Sequence, residues 1–462
     1  MDPIKLEDVI EALQGTVVQG NSHIEITGVS IDSRSIRPGD LFFAFPGERV
    51  DGHDFLEQAF MRGAAAAVIS HSVAADQAMG TLIMVSDPLQ ALQDLACYCR
   101  NLYEIPVVAV TGSTGKTTTK DLIAGVLGTR FNVLKTEGNY NNELGLPLTL
   151  LSLNHSHQVL VLEMAMRGPG EIAALCEISH PQVGVITNIG KSHLELLGSQ
   201  EAIALAKGEL LQSLPSDGCA VLNAQDPWQV KLAELVIGDV IFYGVGEASQ
   251  ITASQVTIHD LDGVEFILQT PNGEIRCFLP LPGMHNVTNA LAAAAVGYRF
   301  GLTLQEIAAG LESVSLTGMR LEVKSGISGT RLIDDSYNAS PVSMKAALEL
   351  LAGSQGTRKI AVLGEMYELG EEEVCGHREV GEKAAALQID CLCTVGPLAQ
   401  EIAAGALSAG LDKERVHVFQ EKTEAVSFLK GYVQEGDVVL IKGSRGMQME
   451  EITASLQDGE KH

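Results

Sequence analysis

Between residues 107 and 120 the chain reads VVAVTGSTGKTTTK, an apolar run that breaks into glycine, serine and threonine around one lysine. A turn that exposes backbone N–H groups and leads into a helix N-terminus makes a cradle for phosphate. The spacing departs from G-x-x-x-x-G-K-[ST], because its first glycine would fall at Val110 and the glycine present is Gly112. The cradle needs a strand to deliver the chain, a Gly-rich turn and a helix starting at the lysine. PVVAV supplies the first, Gly112 and Gly115 permit the second, and KTTTKDLIAGVLG supplies the third. On this reading Gly112, Ser113, Thr114, Gly115 and Thr118 surround a nucleotide. Lys116 meets its β- and γ-phosphates, and the Thr117 hydroxyl ligates Mg²⁺. The competing reading is a Gly/Thr-rich connection with a solvated lysine.

Mg²⁺ takes oxygen ligands, and Glu163, which ends the run VLVLE, is a natural second ligand. A helix-capping or surface glutamate is the alternative. Imidazole is not a favoured magnesium ligand, so His193 by its type reads as a hydrogen-bonding or core histidine. Lys207, in ALAKGEL, reads by composition as a helix-surface lysine. Two C-x-C pairs, Cys97/Cys99 and Cys391/Cys393, lie in apolar runs. In a strand that spacing puts both thiols on one face, where a metal is conceivable; buried reduced thiols are the simpler reading.

These residues need a frame to bring them together. From Ile105 onward a unit repeats: a short apolar strand, a polar or Gly-rich break, then a helix-period segment. PVVAV-TGSTGKTTT, QVLVLEM-AMRGPG, VGVITN-IGKSH and GCAVLN-AQDP follow it, which predicts a parallel sheet with crossover helices. Ligands collect beyond the carboxyl ends of such strands, so Lys116, Glu163, His193 and Asp226 are expected at one edge. Alternation takes over between Ile241 and Leu281, and VEFILQT-PNGE-IRCFLP predicts a hairpin turning at Asn272-Gly273. After Met319, LIDDSYN, KIAVLGEM, CLCTVGP and VVLIKGSRG predict a second doubly wound sheet. The first hundred residues hold β-like runs (IEITGVSID, DLFFAFPG, AAAAVIS, TLIMVSD) and helix-like stretches.

At 462 residues the chain is long for one core, and three domains are expected. The boundaries fall at 1–103, a small α/β unit, 104–318, a central phosphate-loop unit with a mainly parallel sheet, and 319–462, a Rossmann-like unit. Lys+Arg number 31 against 58 Asp+Glu, a net charge of −27. That field disfavours nucleic acid and anionic membranes as partners. No apolar stretch approaches the roughly 20 residues needed to span a bilayer. The acidic start MDPIKLEDVIEALQG is unlike a signal peptide, so a cytoplasmic protein is expected.

Several segments together resemble the Mur ligase family, ATP-dependent amide ligases of cell-wall precursor synthesis. TGSTGKTTT has that family's shortened loop, which accounts for the spacing. The likeness continues through GNYNNELGLPLTLL, the Glu163 and His193 segments, ALAKGEL, LPGMHNVTNALAAAA, GMRLE and DDSYNASP, and ends with LGEMYELG and KGSRG. DDSYNASP, LGEMYELG and KGSRG resemble the versions found in members that use D-alanyl-D-alanine. The Asp-Tyr-Ala-His-Thr-Pro and Lys-Gly-His-Glu motifs of members that add the third peptide residue are absent. DSRSIRPGDLFFAFPGERVDGHDF is shared by both kinds. One departure is Ala165, where glycine is usual two residues after the glutamate.

The resemblance implies a role for each matching residue. His193 helps hold magnesium, and Lys207 is carbamylated by CO₂ into an anionic oxygen ligand for a second Mg²⁺. Asn286 and Asn289 face the nucleoside, with a helix N-cap as the alternative for Asn286. Arg320 follows the phosphates, and Asp335 is the third unit's contribution to ATP binding. Ser33, Arg34, Gly47, Asp51 and His53 hold the uridine end of the substrate, and Asn139 and Asn142 its sugar. Lys442, Ser444 and Arg445 bind the incoming dipeptide or close the site. The implied reaction joins D-alanyl-D-alanine to UDP-MurNAc-tripeptide through an acyl phosphate, on a monomer. Another Mur-family or folylpolyglutamate-type ligase is the near alternative; a phosphotransferase and a non-catalytic nucleotide-binding protein are the remoter ones.

Overall fold

The structure, a computed structural model, describes residues 1–47, 50–73, 80–190, 194–246 and 249–458. Its centre is a six-stranded, all-parallel sheet. Across the sheet the strands run Asp239–Tyr243, Cys219–Asn223, Val183–Ile186, Val107–Thr111, Val159–Glu163 and Val133–Lys135. The strands Val107–Thr111 and Val159–Glu163 are buried at every position. Their side chains divide between two cores: Val107, Ala109, Leu160 and Leu162 face one, and Val108, Val110, Val159 and Val161 face the other. Burial on both faces is why these strands read as unbroken apolar runs. Each buried Val or Leu among them contributes about 1.5–3 kcal/mol of transfer free energy.

The chain enters this sheet in its middle, winds to one edge, returns, and crosses to the other side. The order therefore reverses beside Val107–Thr111, where a doubly wound sheet opens its ligand crevice. The helix Lys116–Gly128 packs against Met284–Arg299, whose run Ala290–Ala295 is fully buried. Small side chains there let two helix backbones approach closely.

An antiparallel three-stranded sheet, Thr252–His259, Gly263–Thr270 and Gly273–Leu279, follows the central strands. The predicted hairpin is present, with its turn one residue early: Thr270 pairs with Gly273, leaving Pro271 and Asn272 as the loop.

A second six-stranded sheet runs Glu322–Gly326, Thr330–Asp334, Val438–Lys442, Lys359–Leu363, Cys391–Val395 and Val416–Phe419, parallel except for its first pair. The two edge strands escape sequence reading because they are partly exposed and so lack an unbroken apolar run. The N-terminal part forms a five-stranded sheet, Thr16–Gln19, Thr81–Met84, Ala66–Ile69, Asp40–Phe43 and Gly28–Ser30. Its helix Pro88–Asn101 is fastened to the central part by buried Arg100. That guanidinium donates to the carbonyls of Ser179 (3.0 Å), Tyr103 (2.7 Å) and Ile105 (3.0 Å).

The cysteine pairs differ from one another. Cys97 and Cys99 sit on the helix Pro88–Asn101, so the one-face strand geometry does not apply to them. Cys391 and Cys393 do lie on a strand, buried, with sulfurs 3.8 Å apart. Among the described residues no helix is long and apolar enough to cross a membrane.

Candidate active site

The loop after Val107–Thr111 turns on two glycines with positive φ, Gly112 (148°) and Gly115 (77°), and the helix begins at Lys116. At Gly112 a Cβ would lie 1.9 Å from Thr187 Oγ1, so backbone approach itself demands glycine there. Two residues that sequence reasoning passed over, Thr187 and Asn188, clasp the loop from the neighbouring strand. Thr187 Oγ1 donates to Thr114 O (2.6 Å), and Asn188 Nδ2 donates to Thr114 O (3.0 Å) and Oγ1 (2.9 Å). In return Asn188 Oδ1 accepts from Thr114 N (3.1 Å) and Asn188 O from Ser113 N (3.0 Å). Their signal was the polar ending of VGVITN on the strand beside the switch point.

Lys116 Nζ donates to Gly112 O at 2.9 Å, across the mouth of the loop. Burial lowers its pKa; Glu163 opposes the shift and Arg320 adds to it, so these three charges share one region. Thr117 is buried, and its Oγ1 accepts from the Arg320 guanidinium at 2.9 Å. Arg320 stacks over the ring of Tyr337, 4.1 Å from its centroid, and its Nε is buried without a partner.

Glu163 is only 3% exposed, which removes the surface reading. Its Oε1 accepts from Asn141 Nδ2 at 2.7 Å, while its Oε2 is buried with no hydrogen-bond partner. A buried carboxylate oxygen left without a donor is costly unless a cation or ligand completes it. With Thr117 Oγ1, this hard oxygen donor set fits Mg²⁺.

Lys207 is 1% exposed on the helix Gln200–Gln212, so the surface reading fails for it also. Burial, with a further push from Lys116, holds its pKa well below the ordinary lysine value. A neutral amine is the form that attacks CO₂. His193 lies outside the described residues. Asp226 does stand at that edge, beyond the strand Cys219–Asn223, where it caps the helix Pro227–Leu232 and accepts from Ile189 N at 2.9 Å.

Asn286 and Asn289 are buried on Met284–Arg299, and Asn289 Oδ1 lies 3.0 Å from where a Gly115 Cβ would stand. Gly283 occupies the N-cap, so Asn286 does not cap the helix; its Nδ2 bonds back to Pro282 O at 2.8 Å. In the Asn-rich loop it is Asn141 that reaches Glu163. Asn139 is exposed, and Asn142 Oδ1 accepts from Gly145 N at 2.9 Å.

Lys442, expected toward the dipeptide, is 3% exposed and holds the loop 335–340. Its Nζ meets Asp335 Oδ2 at 2.6 Å and Asn338 O at 2.8 Å. Ser444 Oγ accepts from Tyr367 N (2.8 Å), and Arg445 pairs with Glu450 (2.6 Å). Lys442 and Ser444 organise their own sheet edge, and Arg445 Nη1 also donates to Met319 Sδ at 3.8 Å.

The N-terminal candidates lie in the segments that follow the strands Gly28–Ser30 and Asp40–Phe43 of the five-stranded sheet. Ser33 Oγ donates to Gln58 Oε1 at 2.7 Å. Arg34 is exposed and paired with Asp32, whose carboxyl it holds at about 2. A Cβ on Gly47 would come within 2.5 Å of Val50 O. Asp51 Oδ1 accepts from His53 N (3.0 Å) and Nδ1 (2.6 Å), and His53 Nε2 accepts from Ser70 N (3.0 Å). The Ser70 N–H thus places the ring proton on Nδ1 and commits it to Asp51.

A phosphate loop at the switch point of a parallel sheet, with the partnerless buried carboxylate oxygen of Glu163, marks a P-loop nucleotide-using α/β enzyme. Family models agree along the chain: the Mur ligase family catalytic domain matches residues 25–99, the Mur ligase middle domain 110–297, and the Mur ligase glutamate ligase domain 319–445. The chain belongs to the Mur ligase family, and it is an ATP-dependent ligase. It is 41% identical over 454 residues to the UDP-N-acetylmuramoyl-tripeptide--D-alanyl-D-alanine ligase of Bacillus subtilis, covering 98% of each chain. A crystal structure of MurF from Acinetobacter baumannii superposes with a TM-score of 0.89 at 32% identity, covering 99% of both chains. MurF of Thermotoga maritima in complex with ADP gives 0.80 at 29% identity, over 93% of this chain and 96% of that one.

Proposed function

We propose that this chain joins D-alanyl-D-alanine to UDP-MurNAc-tripeptide in peptidoglycan precursor synthesis, using ATP, as a cytoplasmic monomer. The end-to-end similarity to the Bacillus subtilis ligase carries the reading. The segments 1–103, 104–318 and 319–462 serve as the uridine-nucleotide, ATP and ligase units.

The terminal carboxylate of the tripeptide attacks the γ-phosphorus of ATP, and ADP leaves. The dipeptide's amine then attacks the acyl-phosphate carbonyl, loses its proton, and displaces inorganic phosphate. A carboxylate nearing a triphosphate meets like-charge repulsion, which Lys116 and Arg320 offset. The loop N–H groups and Thr118 hold the phosphates, and Asn286 and Asn289 stand toward the nucleoside. Thr117 and Glu163 would hold Mg²⁺, joined by His193 on the sequence resemblance. Magnesium neutralises phosphate charge when bound.

Lys207, carbamylated, would add an anionic oxygen donor. Its burial supports this reading, because only an unprotonated amine forms a carbamate. Asp335, steadied by Lys442, contributes from the third unit. Ser33, Arg34, Gly47, Asp51 and His53 form the uridine end, and Asn139 and Asn142 the sugar contact, with Ser444 and Arg445 at the closing edge.

The test is ADP release with UDP-MurNAc-tripeptide, with and without D-alanyl-D-alanine, followed by mass analysis of the product. A product heavier by the dipeptide less water is expected. Absence of that mass gain, or ADP release indifferent to the dipeptide, overturns the proposal.

A further inference from the structure

The phosphate-loop helix holds both ends of the segment that leads from the central sheet into the second six-stranded sheet. At its first turn Thr117 Oγ1 accepts from Arg320 at 2.9 Å. One turn later Asp121, fully buried, holds Thr317. Asp121 Oδ2 accepts the Thr317 backbone N–H at 2.8 Å, and Oδ1 takes Lys135 Nζ at 2.6 Å and Lys120 Nζ at 3.3 Å. Lys120 Nζ, itself buried, donates to Thr136 O at 2.8 Å and reaches Thr317 Oγ1 at 3.4 Å. Every oxygen of this carboxylate is therefore engaged, and two cations fix its orientation.

Between Thr317 and Arg320 lie only Gly318 and Met319. Met319 (φ 64°) and Leu321 (φ 50°) both take the left-handed conformation, which non-glycine residues keep only where their surroundings enforce it. The far side of the segment is held by Tyr337, whose N–H donates to Met319 O at 3.1 Å and whose ring carries the Arg320 guanidinium. The near side is held by Asp121.

We propose that Asp121 is a positioning residue for ligation: by fixing the Thr317 N–H it sets the path of the 317–321 linker and so delivers Arg320 to the phosphate loop. Lys120 and Lys135 keep the anchor ionised and aimed. A charged, saturated acceptor fits this task better than an apolar contact, because it admits one register of the linker and rejects a one-residue slip. The inference rests on the reading that ATP phosphates occupy the loop.

The test is a double-mutant cycle on the full chain, measuring kcat for dipeptide addition and ADP affinity in Asp121→Asn, Arg320→Ala and the double variant. A displaced guanidinium predicts that Asp121→Asn lowers kcat about 10- to 100-fold while ADP affinity changes less than about threefold, within the usual context-dependence of single contacts. Acting through Arg320, it predicts that the double variant matches Arg320→Ala within about twofold. Effects that multiply, or an unchanged kcat, overturn the proposal. Should Asp121→Asn lack a cooperative melting transition, Thr317→Pro removes the donated N–H and leaves the buried charges in place. The same cycle then applies, and a kcat equal to that of the parent chain, or a loss that multiplies with Arg320→Ala, overturns the anchor. Wild-type product formed in parallel separates this outcome from failure of the functional reading.

Discussion

Gly112→Ala tests whether the loop's geometry, rather than its composition, makes the nucleotide site. The new Cβ would fall 1.9 Å from Thr187 Oγ1 and 3.1 Å from Thr187 N, and the backbone there sits at φ 148°. Thr187 cannot simply turn away, because it is buried and its hydroxyl donates to Thr114 O at 2.6 Å. Two terms add. The left-handed backbone costs a residue with a Cβ about 1–3 kcal/mol. Loss of the Thr187 bond costs about 1 kcal/mol, since Asn188 Nδ2 still serves the Thr114 carbonyl at 3.0 Å.

The sum, about 2–4 kcal/mol, corresponds to about a 30- to 1,000-fold loss of ADP affinity if the loop must rearrange to relieve it. Isothermal titration with ADP measures the loss, and thermal melting reports whether the fold survives. Adding Thr187→Ala removes the clashing hydroxyl but leaves both the backbone term and the lost Thr114 bond, so the double variant is expected to bind ADP within about twofold of Gly112→Ala. Wild-type affinity in Gly112→Ala, or wild-type affinity restored in the double variant, would refute the reasoning.

Other outcomes follow from the same site. Lys116→Ala is expected to lower kcat by about 10²- to 10³-fold, as loss of one transition-state donor does; single-turnover ADP formation checks it. Glu163→Gln puts an amide where the partnerless Oε2 now lies, and the Mg²⁺ concentration for half-maximal rate should rise at least about tenfold; an unchanged Mg²⁺ titration would remove Glu163 from the cation site. Lys207→Ala should ligate poorly and regain part of its rate with small carboxylic acids, and a fully active variant would end the carbamate role. Lys207→Met should stabilise the chain in CO₂-free buffer at pH 7, since burial lowers the folded pKa of Lys207. Between that folded value and the unfolded value near 10.4 the unfolded chain holds the extra proton, so wild-type stability climbs with pH there. The advantage of Met is thus expected to shrink by pH 9.5 in urea titrations, and an equal advantage at both pH values would count against a neutral buried amine.

The strand-then-break rhythm from Ile105 onward was legible because both-face burial writes itself as unbroken apolar runs, and the loop residues Gly112 through Thr117 because glycine and threonine at a strand–helix junction have few other uses. The hairpin was legible for the same local reason, to within a residue. The family resemblance, carried by short motifs spread from DSRSIRPGD to KGSRG, reached the chemistry that periodicity could not.

Tertiary structure alone decided burial and partnership. Lys207 has the composition of a surface lysine, and only the packing of its helix takes it out of water. Lys442, Ser444 and Arg445 have the types that bind substrates, yet each finds an internal partner in the fold. Asn141, not its neighbours Asn139 and Asn142, meets Glu163, and Thr187 and Asn188 clasp a loop some seventy residues away in sequence. Local sequence sets backbone preference over a few residues, whereas the partner of a buried polar group is chosen by whatever the strand order brings beside it. That is why the loop could be read as a phosphate site from its letters, and why Asp121 holding the path of Arg320 could not.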